Sequence, residues 1–133
     1  MKPVTKTIQV ATALIQNKKG EILLLKRNEK NYHGYWQFPE GKVDKNESFQ
    51  RTLKRELQEE LGSSPKIISK LGDFSLTFTL KGSLLHATRH VYKVDVPKKI
   101  VLSKEHSAFG WFTHEAVLKL KLTPGMKKIL EML

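Results

Sequence analysis

Glycine, glutamate and arginine recur at set distances in the middle of this chain, where Gly41-Lys-Val-Asp-Lys-Asn-Glu47 precedes Arg55-Glu56-Leu57-Gln58-Glu59-Glu60-Leu61-Gly62. Ser48 to Leu61 has helix-forming composition, and Gly62 stands where a left-handed cap ends a helix. At about 100° per residue, Phe49, Leu53 and Leu57 form an apolar stripe, with Glu56 and Glu60 within or beside it. Glu59 lies one shoulder further round, so three carboxylates converge at spacings of three and four. Held at a buried edge, they repel one another and cost desolvation unless cations compensate. A divalent metal supplies that compensation. Oxygen-only ligands, in a chain without cysteine, suit Mg²⁺ or Mn²⁺ better than zinc. Mg²⁺ commonly comes with phosphate, so the segment reads as a metal-dependent phosphate site. Taken alone, the Glu-Leu-Gln-Glu-Glu run beside Lys54 and Arg55 also reads as a solvated charged face.

From Gly41 through Glu47, Arg55 and Glu56 to Gly62, the spacing resembles the Nudix box in every position but its last, and the chain resembles the Nudix hydrolase family. The family signature ends in a bulky aliphatic residue where this chain has Ser63, a change in loop packing more than in chemistry. The usual pair of glycines is Glu40-Gly41 here, and two alanines common in the middle are Thr52-Leu53. Tyr35-Trp36-Gln37-Phe38-Pro39 precedes the box as related segments do in the family. The resemblance implies that Glu56, Glu59 and Glu60 are metal ligands, completed by the Gly41 backbone carbonyl. It implies that Arg55 orients the box by pairing with a glutamate, Glu47. It also implies hydrolysis of a phosphoanhydride bond by a metal-activated water. Glu56 or Glu60 is the first choice of base, and Glu105, in Leu102-Ser-Lys-Glu-His106, is the downstream candidate. An exposed loop carboxylate is the other reading of Glu105.

The elements that must position these residues follow from patterning. Thr7 to Gln16 reads as a strand, broken at Asn17-Lys-Lys-Gly20, and Glu21 to Lys26 as its hairpin partner. Arg27 to Tyr35 is a polar loop, and Pro65 turns the chain into Lys66 to Leu71. Asp73 to Leu80 alternates strictly, Lys81-Gly82 turns, and Ser83 to Val96 pairs back. Ala108 to Thr113 is a short strand and His114 to Leu120 a brief helix. Thr123-Pro124 opens a last helix to Leu133, with Met126, Ile129, Leu130 and Leu133 inward. Strands flanking a central helix, then a terminal helix, predict an α/β fold with a mixed sheet between helices. The resemblance implies the same α/β/α sandwich. Loops at 27–35, 72–75, 81–85 and 103–110 are expected to surround the site.

The chain of 133 residues suits one domain over 1–133, long enough to bury a substantial core. No apolar run approaches the roughly 20 residues of a membrane span, and Met1-Lys-Pro-Val-Thr-Lys6 lacks the core of a secretory signal. A cytoplasmic enzyme fits. The formal charge of +11 argues for polyanionic company, a nucleotide or RNA, with solubility alone as the plainer account. Arg27, Lys42 and Arg89 either hold terminal phosphates or are ordinary exposed cations. Trp36 and Phe38 either shape a base pocket or belong to the core, and Tyr32, Tyr35 and Phe74 are further stacking candidates. His86, His90 and His106 either donate to phosphate or are satisfied strand residues.

Three functions are consistent with this pattern. The first is a nucleoside triphosphate pyrophosphohydrolase resembling the MutT branch, releasing a nucleoside monophosphate and pyrophosphate. The second is a dinucleoside polyphosphate hydrolase or RNA 5′-pyrophosphohydrolase. The third is a nucleotide-binding sensor without turnover, although such domains usually lose box glutamates and here all of them are present. Nothing in the residue pattern selects a base or an oligomeric state.

Overall fold

The computed structural model describes residues 6–132; the expected inward Leu133 and the start at Met1–Thr5 lie outside them. Seven strands and three helices follow in the order β1 (Lys6–Ile15), β2 (Ile22–Arg27), β3 (Trp36–Gln37), β4 (Glu40–Lys42), α1 (Phe49–Leu61), β5 (Ile67–Leu80), β6 (Ser83–Val94), β7 (His106–Phe112), α2 (His114–Val117) and α3 (Met126–Glu131). A four-stranded mixed sheet has the order β4-β1-β6-β5, and a three-stranded sheet the order β3-β2-β7. β1 runs parallel to β6 and antiparallel to β4.

The expected hairpin of β1 with β2 is confined to its tip. Gln16 bridges Ile22 and Asn17 N–H donates to the Glu21 carbonyl at 3.0 Å, after which the strands part into different sheets. The cause lies in their composition. Val10 to Ile15 and Ile22 to Leu25 are buried at every position. Strands covered on both faces read as continuous apolar runs and take the centre of a sheet. β1 accordingly sits between β4 and β6, and β2 between β3 and β7.

Alternate β1 side chains serve two cores. Ala11, Ala13 and Ile15 pack with Leu53, Leu57 and Leu61 of α1, while Leu14 packs with Phe38, Val91 and the α3 residues Met126, Ile129 and Leu130. Helices therefore cover both sides of the strands, as in an α/β/α sandwich. The stretches expected at 66–71 and 73–80 form one strand, β5, bulged near Ile67/Ser69 and Lys70/Gly72. The brief helix expected to reach Leu120 ends at Val117. The last helix starts at Met126, after Gly125 with φ +89°, rather than at Thr123-Pro124.

Candidate active site

Helix α1 carries the acidic wall. Ser48 caps its start by accepting the Arg51 N–H, and Gly62 closes it at φ +73° with its N–H on the Gln58 carbonyl. Its buried face is Thr52, Leu53, Leu57, Glu60 and Leu61. Glu60 thus occupies a position that the helical period would give to an apolar side chain. It is 3 % exposed, and burial, then the Glu56 charge, pushes its carboxyl well above the usual range. Glu56 is half-buried, and its carboxyl is raised first by burial and then by Glu59. Glu59 stands more exposed on the same wall.

Arg55 and Glu47 form a two-pronged latch. Arg55 Nε donates to Glu47 Oε2 at 3.0 Å and Nη2 to Oε1 at 2.9 Å, while Thr52 Oγ1 donates to Glu47 Oε1 at 2.8 Å. The Arg55 bond, then the Thr52 bond, lowers the Glu47 carboxyl to about 2. Arg55 Nη1 also reaches Glu56 Oε1 at 3.0 Å and Glu59 Oε1 at 3.4 Å. Glu60 Oε1 instead accepts the Glu40 N–H at 3.0 Å. No three acidic or histidine side chains among the described residues stand gathered as a ready cation cage. The donor set nevertheless fits a hard divalent cation, being all oxygen, close together, and burdened by burial and mutual repulsion.

Gly41 is required by close approach. A Cβ there would lie 2.0 Å from Glu56 Cγ and 2.1 Å from Cδ, so only glycine lets β4 lie against the helix at this point.

A cavity of about 360 Å³ opens over this wall, lined by Val10, Arg27, Glu29, Gln37, Glu40, Gly41, Lys42, Glu56, Glu59, Glu60, Glu105 and His106. Carboxylates and cations therefore share one hollow. Arg27 is braced by its bonds to the Asn31 carbonyl at 2.9 Å, Gln37 Oε1 at 2.6 Å and Glu29 Oε2 at 3.0 Å. Lys42 lies below the usual amine range because of its hydrogen bond with Lys6 and that residue's charge. Glu105 is near enough to raise both Glu56 and Glu60. His106 is buried, its Nδ1 has no partner among the described residues, and burial followed by Arg27 lowers its basicity. A larger cleft of about 730 Å³, between α1 and β5, is lined by Lys54, Lys66, Lys70 and neighbours and holds no carboxylate. The carboxylates singled out by spacing therefore gather at the smaller cavity.

Several expected contacts fall elsewhere. Phe38 has no exposed surface and packs with Leu14, Val91 and Met126, so it is core and not a base platform. Trp36 lies edge-on to Phe112 at 4.9 Å, with its backbone tied to Lys121 and Thr123, and does not line the cavity. Arg89 is buried and paired with Glu40, so it is no free phosphate cation. Tyr32 and Tyr35 pack on each other, and Phe74 packs against the α3 core. His86 meets Thr77, while His90 lies between Asp73 and Gln9 and stacks on Phe49 at 3.8 Å. Loops 27–35 and 103–110 contribute to the cavity, whereas 72–75 and 81–85 do not. Gln37 and Glu40 line it without having been singled out. The signal for Glu40 was its place where the box usually has glycine.

A NUDIX domain model matches residues 6–133. The chain belongs to the Nudix family. It is 33% identical over 129 residues to a CTP pyrophosphohydrolase of Escherichia coli, covering 95% of this chain and 90% of that one. It is 33% identical to an RNA pyrophosphohydrolase of Haemophilus influenzae over 88 residues, covering 66% of this chain and 36% of that protein. Among solved structures, the MutT protein from Methanosarcina mazei matches with TM-score 0.82 at 30% identity, covering 98% of this chain and 95% of that one. This Nudix protein is an enzyme, a hydrolase of phosphoanhydride bonds in nucleotides. The family is generally dependent on a divalent metal. No helix among the described residues is long and apolar enough to cross a membrane.

Proposed function

We propose that this Nudix hydrolase cleaves nucleoside 5′-triphosphates to nucleoside monophosphate and pyrophosphate, in the cytoplasm, with Mg²⁺ or Mn²⁺. The observation that carries this reading is the pairing of an acidic wall, half-buried Glu56, exposed Glu59 and buried Glu60, with Arg27 and Lys42 across one small cavity. Similarity along nearly the whole chain to a CTP pyrophosphohydrolase supports it.

Glu56, Glu59, Glu60 and the Gly41 carbonyl would hold the cation, which when bound neutralises the diphosphate and makes water more acidic. Arg27 and Lys42 bind and orient the phosphate chain. Arg55 and Glu47 hold the helix start against the box loop. The water oxygen bonds to one phosphorus of the α–β anhydride, the bond from that phosphorus to the bridging oxygen breaks, and the electron pair leaves with the bridging oxygen on the other phosphate, so that one product is the nucleoside monophosphate and the other pyrophosphate. Glu56 or Glu60 takes the water's proton, and Glu105 faces the same cavity as the alternative base.

A second reading, removal of pyrophosphate from RNA 5′ ends, draws on the +11 charge and on the partial match to an RNA pyrophosphohydrolase. A phosphate-release assay coupled to pyrophosphatase, with nucleoside triphosphates, dinucleoside polyphosphates and 5′-triphosphate RNA, separates the two. Pyrophosphate from free triphosphates supports the first reading, and preference for RNA the second. Silence on all substrates with intact Mn²⁺ binding would revive the reading of a nucleotide-binding sensor.

A further inference from the structure

Glu40 stands at the head of β4 between Glu60 and Arg89. Its N–H donates to Glu60 Oε1 at 3.0 Å. Its carboxylate accepts Arg89 Nε at 2.9 Å on Oε1 and Nη2 at 3.3 Å on Oε2, and Oε1 also accepts Thr12 Oγ1 at 2.8 Å. Topology explains the meeting. β1 runs between β4 and β6, so Thr12 lies opposite Glu40, and Arg89, opposite Val10, reaches across β1. The Arg89 and Glu40 side chains are only 8% and 13% exposed. Gly125 closes on the far side, where a Cβ would lie 2.8 Å from Arg89 Nη1. A buried two-pronged pair of this kind has a defined geometry, and removing one partner strands the other charge.

Glu60 has need of such an anchor. It is a buried carboxylate whose hydrogen-bond donor, among the described residues, is the Glu40 N–H. A donor orients its acceptor only if it is itself held, and here the holding is done by a side chain on the same residue. Neither Arg89 nor Thr12 lines the cavity, so their influence on chemistry passes through Glu40.

We propose that Glu40, clamped by Arg89 and Thr12, is a positioning residue that aims Glu60 into the cavity and so sets how well the acidic wall gathers a cation. The inference rests on the reading of Glu60 as part of the active site. Arg89→Met, Arg89→Lys and Thr12→Val are compared with wild type for kcat, KM for a nucleoside triphosphate, Mn²⁺ Kd by electron paramagnetic resonance, and Tm, each per folded molecule. Loss of a supporting partner of this kind costs about 10–100-fold in metal affinity or activity, and a partner acting through a further residue is expected at the lower end. Arg89→Met should therefore show kcat and Mn²⁺ affinity each lower by about 10-fold, with KM within about 2-fold. Arg89→Lys should recover part of both, and Thr12→Val should move both in the same direction by less. A purely structural pair predicts a lower Tm with wild-type kcat and Mn²⁺ affinity, and that result in Arg89→Met or Thr12→Val overturns the proposal. Should Arg89→Met fail to fold, Arg89→Lys and Thr12→Val decide by the same criteria. Wild type that hydrolyses no triphosphate defeats the functional reading instead, and the Mn²⁺ comparison still judges the clamp.

Discussion

Two neighbouring stretches, residues 35–39 and residues 40–62, met very different fates. In the second, the glutamates and arginine picked out by spacing line or support one cavity. In the first, Trp36 and Phe38 turn to the core, and only Gln37 reaches the cavity. The contrast teaches that charge and bulk are informative in different ways. A carboxylate at a buried helical position has few reasons to be there besides pairing or binding, because desolvation opposes it. A large aromatic is welcome in any core, so its presence near a functional segment says little about contact with ligand.

The strongest way to break this comparison is to neutralise the acidic wall. Glu56→Gln should lower kcat by about 10²–10⁴-fold, the range for losing a positioned acid or base, while nucleotide binding persists by calorimetry. Full activity on every substrate would show that the assignment of the metal site to this wall is wrong. Chelation of divalent cations should abolish turnover in the same assay, and added Mg²⁺ or Mn²⁺ should restore it. Gly41→Ala comes next, since its Cβ would overlap Glu56. A misplacement of about 1 Å near the chemistry costs about 10²-fold in rate, and a drop of that order in kcat is expected. Wild-type kinetics for this variant would mean that the β4–α1 contact is slack.

The aromatic stretch should answer in stability rather than rate. Phe38→Ala should cost about 3–5 kcal/mol by urea unfolding, while the folded fraction keeps its KM. A large KM increase without loss of stability would return Phe38 to the ligand. The smallest effect concerns Glu47, whose folded carboxyl lies at about 2, below the unfolded value of about 4.3. A depressed carboxyl contributes stability above the unfolded pKa and loses it as pH falls from about 4.3 toward about 2. Urea midpoints measured from pH 6 to pH 2.5 should therefore fall less steeply in Glu47→Gln than in wild type, and parallel curves would mean that the Arg55 latch adds nothing.

Helix α1 was legible from Ser48 to Gly62 because cap, apolar stripe and stop signal are all local. The inward set Met126, Ile129 and Leu130 was legible for the same reason. The β1–β2 hairpin misled because short-range turn residues at 17–20 are compatible both with a hairpin and with a corner between sheets. Continuous burial of Val10–Ile15 was the clue to the corner. Arg89 misled because its charge is visible in the chain while its partner, 49 residues away, is not.

By itself, then, the amino-acid order determined the acidic helix and the resemblance to the family, since helical periodicity and box spacing act over a few turns, and the pairing of Arg55 with Glu47 was implied by that resemblance. Tertiary structure alone decided that Glu105, His106, Arg27 and Lys42 meet over that helix. It also decided that Phe38 is core and that Glu40 is tied to Arg89. These outcomes depend on which strands pair across the sheets, and strand pairing is a long-range choice made by burial of whole faces rather than by neighbours in the chain.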